Sequence, residues 1–152
     1  MSTPLRDLLS GEDITSLSAL FGSKVLDTPA TIEPIDGELK VCGTTSGSLW
    51  SSDSTIRFDS ADIKMAYTSD ESNYHGIRIS VAREVIDLKD AATRRTVLHE
   101  LHHVKQRQRG FFYRLKMKWW NLTKKYESRP HETEARATAE VLSMAMEERS
   151  NA

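Results

Sequence analysis

The segment His99-Glu100-Leu101-His102-His103 has residue types and a spacing that could bind a metal ion and activate water. On an α-helix, residues four apart share a face, so His99 and His103 would project their imidazoles side by side. Two imidazole nitrogens placed in this way suit a zinc ion, and Glu100 could take a proton from water at that ion. The extra histidine, His102, would face another side of the helix and is predicted to be a surface or supporting residue.

A catalytic zinc ion normally has three protein ligands and one open position, so a third ligand is expected downstream. Residues 130–136 read Pro-His-Glu-Thr-Glu-Ala-Arg and offer two carboxylates at the start of a predicted helix. Glu132 shares a helical stripe with Ala135 and Ala139, whereas Glu134 lies about 200° away at 100° per residue. Helical phase therefore favours Glu132 as the ligand and leaves Glu134 as the alternative.

Together the two segments resemble the gluzincins, zinc peptidases in which a Glu on a second helix completes a His-Glu-x-x-His site. The sequence looks most like the small minigluzincins and like bacterial and phage peptidase-like sequences that pair His-Glu-Leu-x-His-x-x-Gln with a later Pro-x-Glu-x-Glu-Ala. These patterns fall on residues 99–106 and 130–135, and the resemblance covers about residues 90–146. It implies a zincin-like fold, one zinc ion, hydrolysis of peptide bonds and Glu132 as the third ligand.

The resemblance also implies a mechanism, in which Glu100 accepts a proton from zinc-activated water and passes it to the leaving amine. The candidates for stabilising the oxyanion are Tyr126, Tyr113, His131 and Arg129, of which Tyr126 is our choice. An edge strand of the sheet would align the peptide substrate, and residues 77–81 are our choice for that strand.

One position departs from the pattern of the related sequences. They often have Asp four residues after the ligand Glu, where it orients a metal-binding histidine, but this chain has Arg136 there. The orienting hydrogen bond is therefore expected from another carboxylate or from a backbone carbonyl.

Two helices must carry these residues. Residues 91–108 contain no Pro or Gly and end before Gly110, with Asp90 as the predicted N-cap. Residues available to this helix for core packing are Val97, Leu98, Leu101 and Val104. Pro130 is well placed to begin the last helix, His131 to Arg149. Its apolar stripe consists of Ala135, Ala139, Leu142 and Met146.

The preceding chain is predicted to supply a sheet. Residues 1–35 read as short helical turns ended by Gly22, followed by an extended or irregular stretch between Pro29 and Pro34. Strand-like alternation occurs at 38–42, 55–58, 63–67 and 77–81, and the polar run 44–54 is predicted to be a loop or a hairpin tip. The predicted fold class is α+β, in which a small, mostly antiparallel sheet of three or four strands precedes the metal-bearing helix and a C-terminal helix. We expect one domain over residues 1–152, divided into an N-terminal segment (1–35), the sheet (37–89) and a helical metal-binding part (90–149).

Composition narrows the class of protein. The 152 residues are 38% hydrophobic and 28% charged, which is typical of a globular domain. The single cysteine, Cys42, excludes an internal disulfide, and no apolar run is long enough to span a membrane. No signal peptide is evident, so we expect a cytoplasmic protein, and a phage-encoded or virion-associated origin would look the same. Cys42 and Trp50 are predicted to lie in the core and His75 in a turn.

Residues 105–129 form a basic, aromatic segment with nine Lys or Arg residues and one acid, Glu127. The spacing of Phe111, Leu115 and Trp119 predicts that these residues pack on the core with the basic residues outward. The alternatives are that the segment covers the active site or binds an acidic partner, or that it docks on a membrane. Docking on a membrane or on nucleic acid is the least favoured of these alternatives.

The favoured function is a zinc metallopeptidase acting on a peptide or protein substrate, because a purely structural site has no need of Glu100. One alternative is a non-catalytic zinc protein that uses the same three ligands within an assembly, such as a phage particle or a host-interaction complex. The other is a regulatory protease that cleaves one partner, similar to the ImmA/IrrE peptidases. These also have an Arg-rich segment just before the His-Glu-x-x-His motif, where this chain has Arg94 and Arg95. The oligomeric state is left open.

Overall fold

The computed structural model describes residues 3–32, 41–60, 86, 88–89 and 91–151 of the chain. The strands of this part are β1 (Thr3–Pro4), β2 (Pro29–Ile32), β3 (Val41–Ser46) and β4 (Thr55–Ser60). The helices are α1 (Gly11–Phe21), α2 (Ala91–Arg107), α3 (Phe111–Thr123) and α4 (Pro130–Asn151), with 3-10 turns at Leu5–Leu8, Ser23–Asp27 and Tyr126–Ser128. The predicted α+β class is confirmed, and helix predominates.

The sheet is mixed, with the strand order β1-β2-β4-β3. β1 pairs antiparallel with β2, β2 pairs parallel with β4, and β3 and β4 form an antiparallel hairpin in which Ser46 lies opposite Thr55. The predicted strand 55–58 lies within β4, but the predicted strand 38–42 shares only Val41 and Cys42 with β3, and residues 44–46, which were expected in a loop or hairpin tip, belong to β3. β2 was expected only as an extended or irregular stretch, because the residues between the two prolines show no alternating pattern. Pro29 is tolerated at the first position of β2, where a strand can spare a backbone donor. The predicted strands 63–67 and 77–81 lie outside the described residues.

The first helix is longer than the short turns expected from the sequence. α1 begins at the N-cap Ser10, whose hydroxyl accepts a hydrogen bond from the Asp13 backbone N–H at 3.2 Å. It ends at Gly22, where φ is 89°, a backbone conformation that glycine adopts without steric cost. Leu17 and Phe21 thereby reach the core.

α2 runs through the centre of the protein, and its apolar face is buried as predicted. It packs along α4, where the small side chains of Ala135 and Ala139 are buried and Leu142 and Met146 pack against the core. Buried Arg94 fixes the two helices to each other, since its Nε donates to Ser143 Oγ at 2.7 Å. The long helices that carry the candidate site are therefore held by both apolar and polar contacts.

The predicted packing of α3 is wrong. Leu115 and Trp119 are exposed, and Arg114 is the buried residue of the helix. The guanidinium is tolerated there because it is hydrogen-bonded: Arg114 donates to the backbone carbonyls of Leu49 and Arg107, both at 2.8 Å.

The prediction that Trp50 lies in the core is also wrong, because its ring is exposed and stacks on Phe111. The Cys42 side chain, His75 and Asp90 lie outside the described residues. No described helix combines the length and apolar character needed to cross a membrane.

Candidate metal centre

α2 places His99 and His103 one turn apart on its buried face. Their Nε2 atoms are 2.9 Å apart, and both side chains are shielded from solvent. Two nitrogens that point at one small volume in the protein interior need a shared partner, either a proton or a cation, because burying unpaired polar atoms is costly.

Glu132 brings a carboxylate to the same point from the first turn of α4. Its Oε2 lies 3.0 Å from His99 Nε2 and its Oε1 lies 3.1 Å from His103 Nε2. Pro130 starts this helix with a favourable backbone geometry, and the helix dipole favours a negative charge in the first turn. Tetrahedral ligands at ~2.0–2.1 Å from zinc are about 3.3 Å apart, so the three groups would need to spread by only a few tenths of an ångström.

Glu100 lies beside this trio. One of its carboxylate oxygens and the ring nitrogens of His99 and His103 all lie within 4.8 Å of one another, a grouping that could hold a metal ion. The Thr45 hydroxyl, on β3, makes a short hydrogen bond to Glu100 Oε2 and so fixes the carboxylate from the sheet side. Sequence reasoning missed Thr45, since a pairing across 55 residues leaves no local pattern.

The charges of the cluster support one another. Burial disfavours a charged His103, but the hydrogen bond to Glu132 and the charges of Glu100 and Glu132 outweigh it and raise the pKa of His103 to about 9. Burial would raise the pKa of Glu132, but the hydrogen bonds from His103 and His99 hold it far below its usual range. Both shifts favour a protonated His103 beside an ionised Glu132 when no metal is bound.

Gln106 orients His103. Its Oε1 accepts a hydrogen bond from His103 Nδ1 at 2.8 Å, while its Nε2 donates to the backbone carbonyl of His131 at 2.9 Å. The second bond fixes the amide orientation, so His103 keeps a hydrogen on Nδ1 and turns Nε2 toward His99 and Glu132. The orienting group is thus an amide rather than the carboxylate or carbonyl expected. The His-x-x-Gln spacing on one helix face was the signal that could have found it.

Arg136, which replaces the expected Asp, has another environment. Its guanidinium lies over the Tyr126 ring, 5.4 Å from the centroid, and donates to the Glu127 backbone carbonyl at 3.2 Å. It therefore supports the turn before α4 at residues 126–128.

Glu134, the alternative ligand, belongs to a separate polar cluster. It accepts a hydrogen bond from His102 Nε2 at 2.7 Å and makes a short ion pair with Arg109. The hydrogen bond from Arg109, aided by that from His102, lowers the pKa of Glu134 to about 2. The structure thus brings Glu132, and not Glu134, to the two histidines.

Two of the four candidates for oxyanion stabilisation lie at the centre. Burial, followed by the charge and hydrogen bond of Glu132, raises the pKa of Tyr126, so this hydroxyl keeps its proton and donates to Glu132. His131 is buried against Trp120, with its Nε2 3.8 Å from Glu132 Oε1, and burial lowers its pKa to about 4. Within the described part of the chain, His131 Nδ1 has no hydrogen-bond partner.

The other two candidates point elsewhere. The Arg109 guanidinium lies over the Tyr113 ring, with its Cζ 4.8 Å from the ring centroid. Arg129 donates to the backbone carbonyls of Asn121 and Lys124. Residues 77–81, our choice for the substrate-aligning strand, lie outside the described residues.

Comparison of the chain with protein-family models, with curated protein sequences and with solved structures finds no match.

Proposed function

We propose that the chain is a zinc-dependent metallopeptidase of the gluzincin type. The observation that supports this proposal is the position of three side chains in the protein interior. His99 Nε2 and His103 Nε2 lie 2.9 Å apart, and each lies within 3.1 Å of one Glu132 carboxylate oxygen. Two neutral nitrogens and one carboxylate are a donor set that zinc prefers, and three protein ligands leave a position for water.

Each residue has a role in peptide hydrolysis. Bound zinc would supply a Lewis acid that polarises the substrate carbonyl and lowers the pKa of water to ~7. Glu100, held by the Thr45 hydroxyl, accepts the proton of the attacking water and returns it to the leaving amine. Tyr126 keeps its proton and could turn from Glu132 to the oxyanion that develops on the carbonyl oxygen.

The test compares the zinc-loaded protein with its Glu100→Gln variant on a mixture of unfolded peptides, with new termini identified by mass spectrometry. We expect the wild-type protein to generate new termini, and the variant to bind one zinc ion while its rate falls at least ~100-fold, since proton transfer contributes ~10²–10⁴. Equal cleavage by both proteins, or none by either, would reject the peptidase assignment.

The second candidate function, a non-catalytic zinc protein, is favoured by the position of His131. A structural zinc site is closed by a fourth protein ligand, and His131 is a third buried imidazole beside the two histidines, with its Nε2 3.8 Å from Glu132 Oε1. In that case, His131→Ala should weaken zinc binding as strongly as His103→Ala does. If the centre is catalytic, His131→Ala should bind zinc nearly as well as the wild-type protein.

A regulatory protease that cleaves one partner, as in the ImmA/IrrE peptidases, would use the same centre. It differs in substrate range alone. Cleavage confined to one sequence within the peptide mixture would support it over a general peptidase.

A further inference from the structure

α3 presents its apolar side chains to solvent. Phe112, Leu115, Trp119 and Leu122 are 78%, 43%, 64% and 76% exposed, while Arg114 is only 9% exposed. Their spacing of three, four and three residues places all four on one side of the helix. On this side of the helix, large apolar side chains face solvent where polar ones are expected in a globular domain.

The loop between β3 and β4 extends this apolar surface. Trp50 is 80% exposed and stacks on Phe111, with ring centroids 5.1 Å apart. Leu49 lines a surface groove together with Leu115, Trp119 and Leu122. We call the surface formed by Trp50, Phe112, Leu115, Trp119 and Leu122 the α3 outer face. Contiguous apolar patches of this kind mark interaction sites.

Polar anchors hold the α3 outer face in place. Arg114 Nε donates to the Leu49 carbonyl, which ties the loop to the helix. Arg107 donates to the backbone carbonyls of Ser48, Ser51 and Asp53 at 2.7–3.1 Å and fixes the rest of the loop. The patch is therefore preformed and need not be ordered when a partner binds.

The charge around the α3 outer face is positive. With about 100° of rotation per residue along the helix, Lys116 and Lys118 lie on opposite sides of the apolar stripe. Lys124 and Lys125 come directly after the helix. Residues 111–126 contain no Asp or Glu. Any partner must therefore combine an apolar interior with a negative surface.

We infer that the α3 outer face docks on the interface of an anionic lipid bilayer. Tryptophan, phenylalanine and leucine side chains flanked by lysines are the composition of helices that lie in the plane of a membrane surface. A helix of this length would lie about 20 Å along the bilayer, with its lysines at the anionic headgroups. A second copy of the chain fits less well, because pairing two α3 outer faces would bring four lysines together along one seam. Single-stranded nucleic acid also fits less well, since Leu115 and Leu122 have no ring on which a base could stack.

The opposite side of α3 faces the candidate metal centre. Trp120 stacks on His131, with ring centroids 5.7 Å apart and planes 13° apart. Docking would therefore hold the centre close to the bilayer surface. The inference does not depend on the proposed peptidase activity.

The test is co-sedimentation of the full chain with vesicles of phosphatidylcholine containing 30% phosphatidylserine, with pure phosphatidylcholine vesicles as reference. We expect at least about tenfold stronger binding to the anionic vesicles at low ionic strength, weakened by added salt, with a blue shift of tryptophan emission. The Trp119→Ser/Leu122→Ser variant and the Lys116→Glu/Lys118→Glu variant should each reduce binding at least about tenfold. These side chains are exposed, and circular dichroism would verify that both variants fold.

The matched control is Val141→Ser/Met144→Ser, which removes two apolar side chains of α4 that are 65% and 58% exposed. This variant should bind as the wild-type protein does. Undiminished binding by either α3 variant, or no sedimentation with anionic vesicles, would overturn the inference. Dimerisation or oligo(dT) binding that depends on Trp119 and Leu122, without vesicle binding, would overturn it too.

Discussion

Glu132 and Glu134 stand two residues apart on α4 and yet face different partners. Glu132 lies against His99 and His103, whereas Glu134 pairs with His102 and Arg109. We predict that Glu132→Gln lowers zinc affinity at least ~100-fold, because even residues that only orient a ligand are worth 10–100-fold. Glu134→Gln is the matched control and should change the affinity less than about threefold. Competition with a chromophoric chelator measures the zinc affinity of both variants. A larger loss of affinity in Glu134→Gln than in Glu132→Gln would reverse the ligand assignment.

Gln106 contacts the His103 ring and would affect zinc binding only through it. Removing its amide frees the His103 ring to rotate and to change tautomer, so Gln106→Ala should lower zinc affinity ~10–100-fold while the fold is kept. Gln108→Ala, an exposed position at the end of α2, is the control and should bind zinc as the wild-type protein does. Equal affinities in the same chelator assay for Gln106→Ala and Gln108→Ala would show that the hydrogen bond has no orienting role.

The sequence predicted the residues of the candidate site where chemistry and spacing are local. His99, Glu100 and His103 lie in one helical turn, and helical phase separated Glu132 from Glu134. Thr45 could not be predicted, because its contact with Glu100 exists only after the hairpin packs on α2. The role of Arg136 could not be predicted either, because its partner Tyr126 lies in a turn, where the sequence has no periodic pattern.

The loop between β3 and β4 folds around Arg107, and Gly47 makes this possible. A Cβ atom at Gly47 would lie 2.5 Å from the Asp53 carbonyl oxygen and would also overlap the Arg107 guanidinium. We predict that Gly47→Ala lowers the free energy of unfolding by ~1–3 kcal/mol, the usual effect of overpacking. Urea unfolding measures this change. Gly11→Ala, at a position with no atom within 4 Å of the added Cβ, should not be destabilised. Equal stability of the two variants would mean that the loop accommodates the methyl group.

The helices were predicted better than the strands. α2 and α4 begin and end within two residues of their predicted bounds, because both are long periodic segments, with Gly110 shortly after α2 and Pro130 at the start of α4. β1 and β2 are too short to show alternation, and each pairs with a strand that lies far away in the sequence. The predicted buried side of α3 is wrong, because the sequence of the helix does not show which groups bind Arg114. Its acceptors are the backbone carbonyls of Leu49, in the loop between β3 and β4, and of Arg107, at the end of α2.

Across the whole protein, the buried charges predict how stability depends on pH. Without metal, the pKa of His103 is raised from 6.5 to about 9. The stabilisation from its charged form is therefore complete below pH 6.5 and lost as the pH rises through about 9. We predict that the unfolding temperature in EDTA falls between pH 6.5 and 9, and that this fall is absent in His103→Gln. In saturating zinc the wild-type protein should keep its unfolding temperature, because the ion replaces the proton. A flat profile in EDTA would contradict the electrostatic description of the centre.

The most direct test is metal analysis of the purified protein, beside its His103→Ala variant, after equilibration with zinc and removal of weakly bound ions. We predict one zinc ion per wild-type chain and its loss in the variant, with circular dichroism verifying that the variant is folded. Zinc in neither protein, or an equal amount in both, would contradict a metal centre formed by His99, His103 and Glu132.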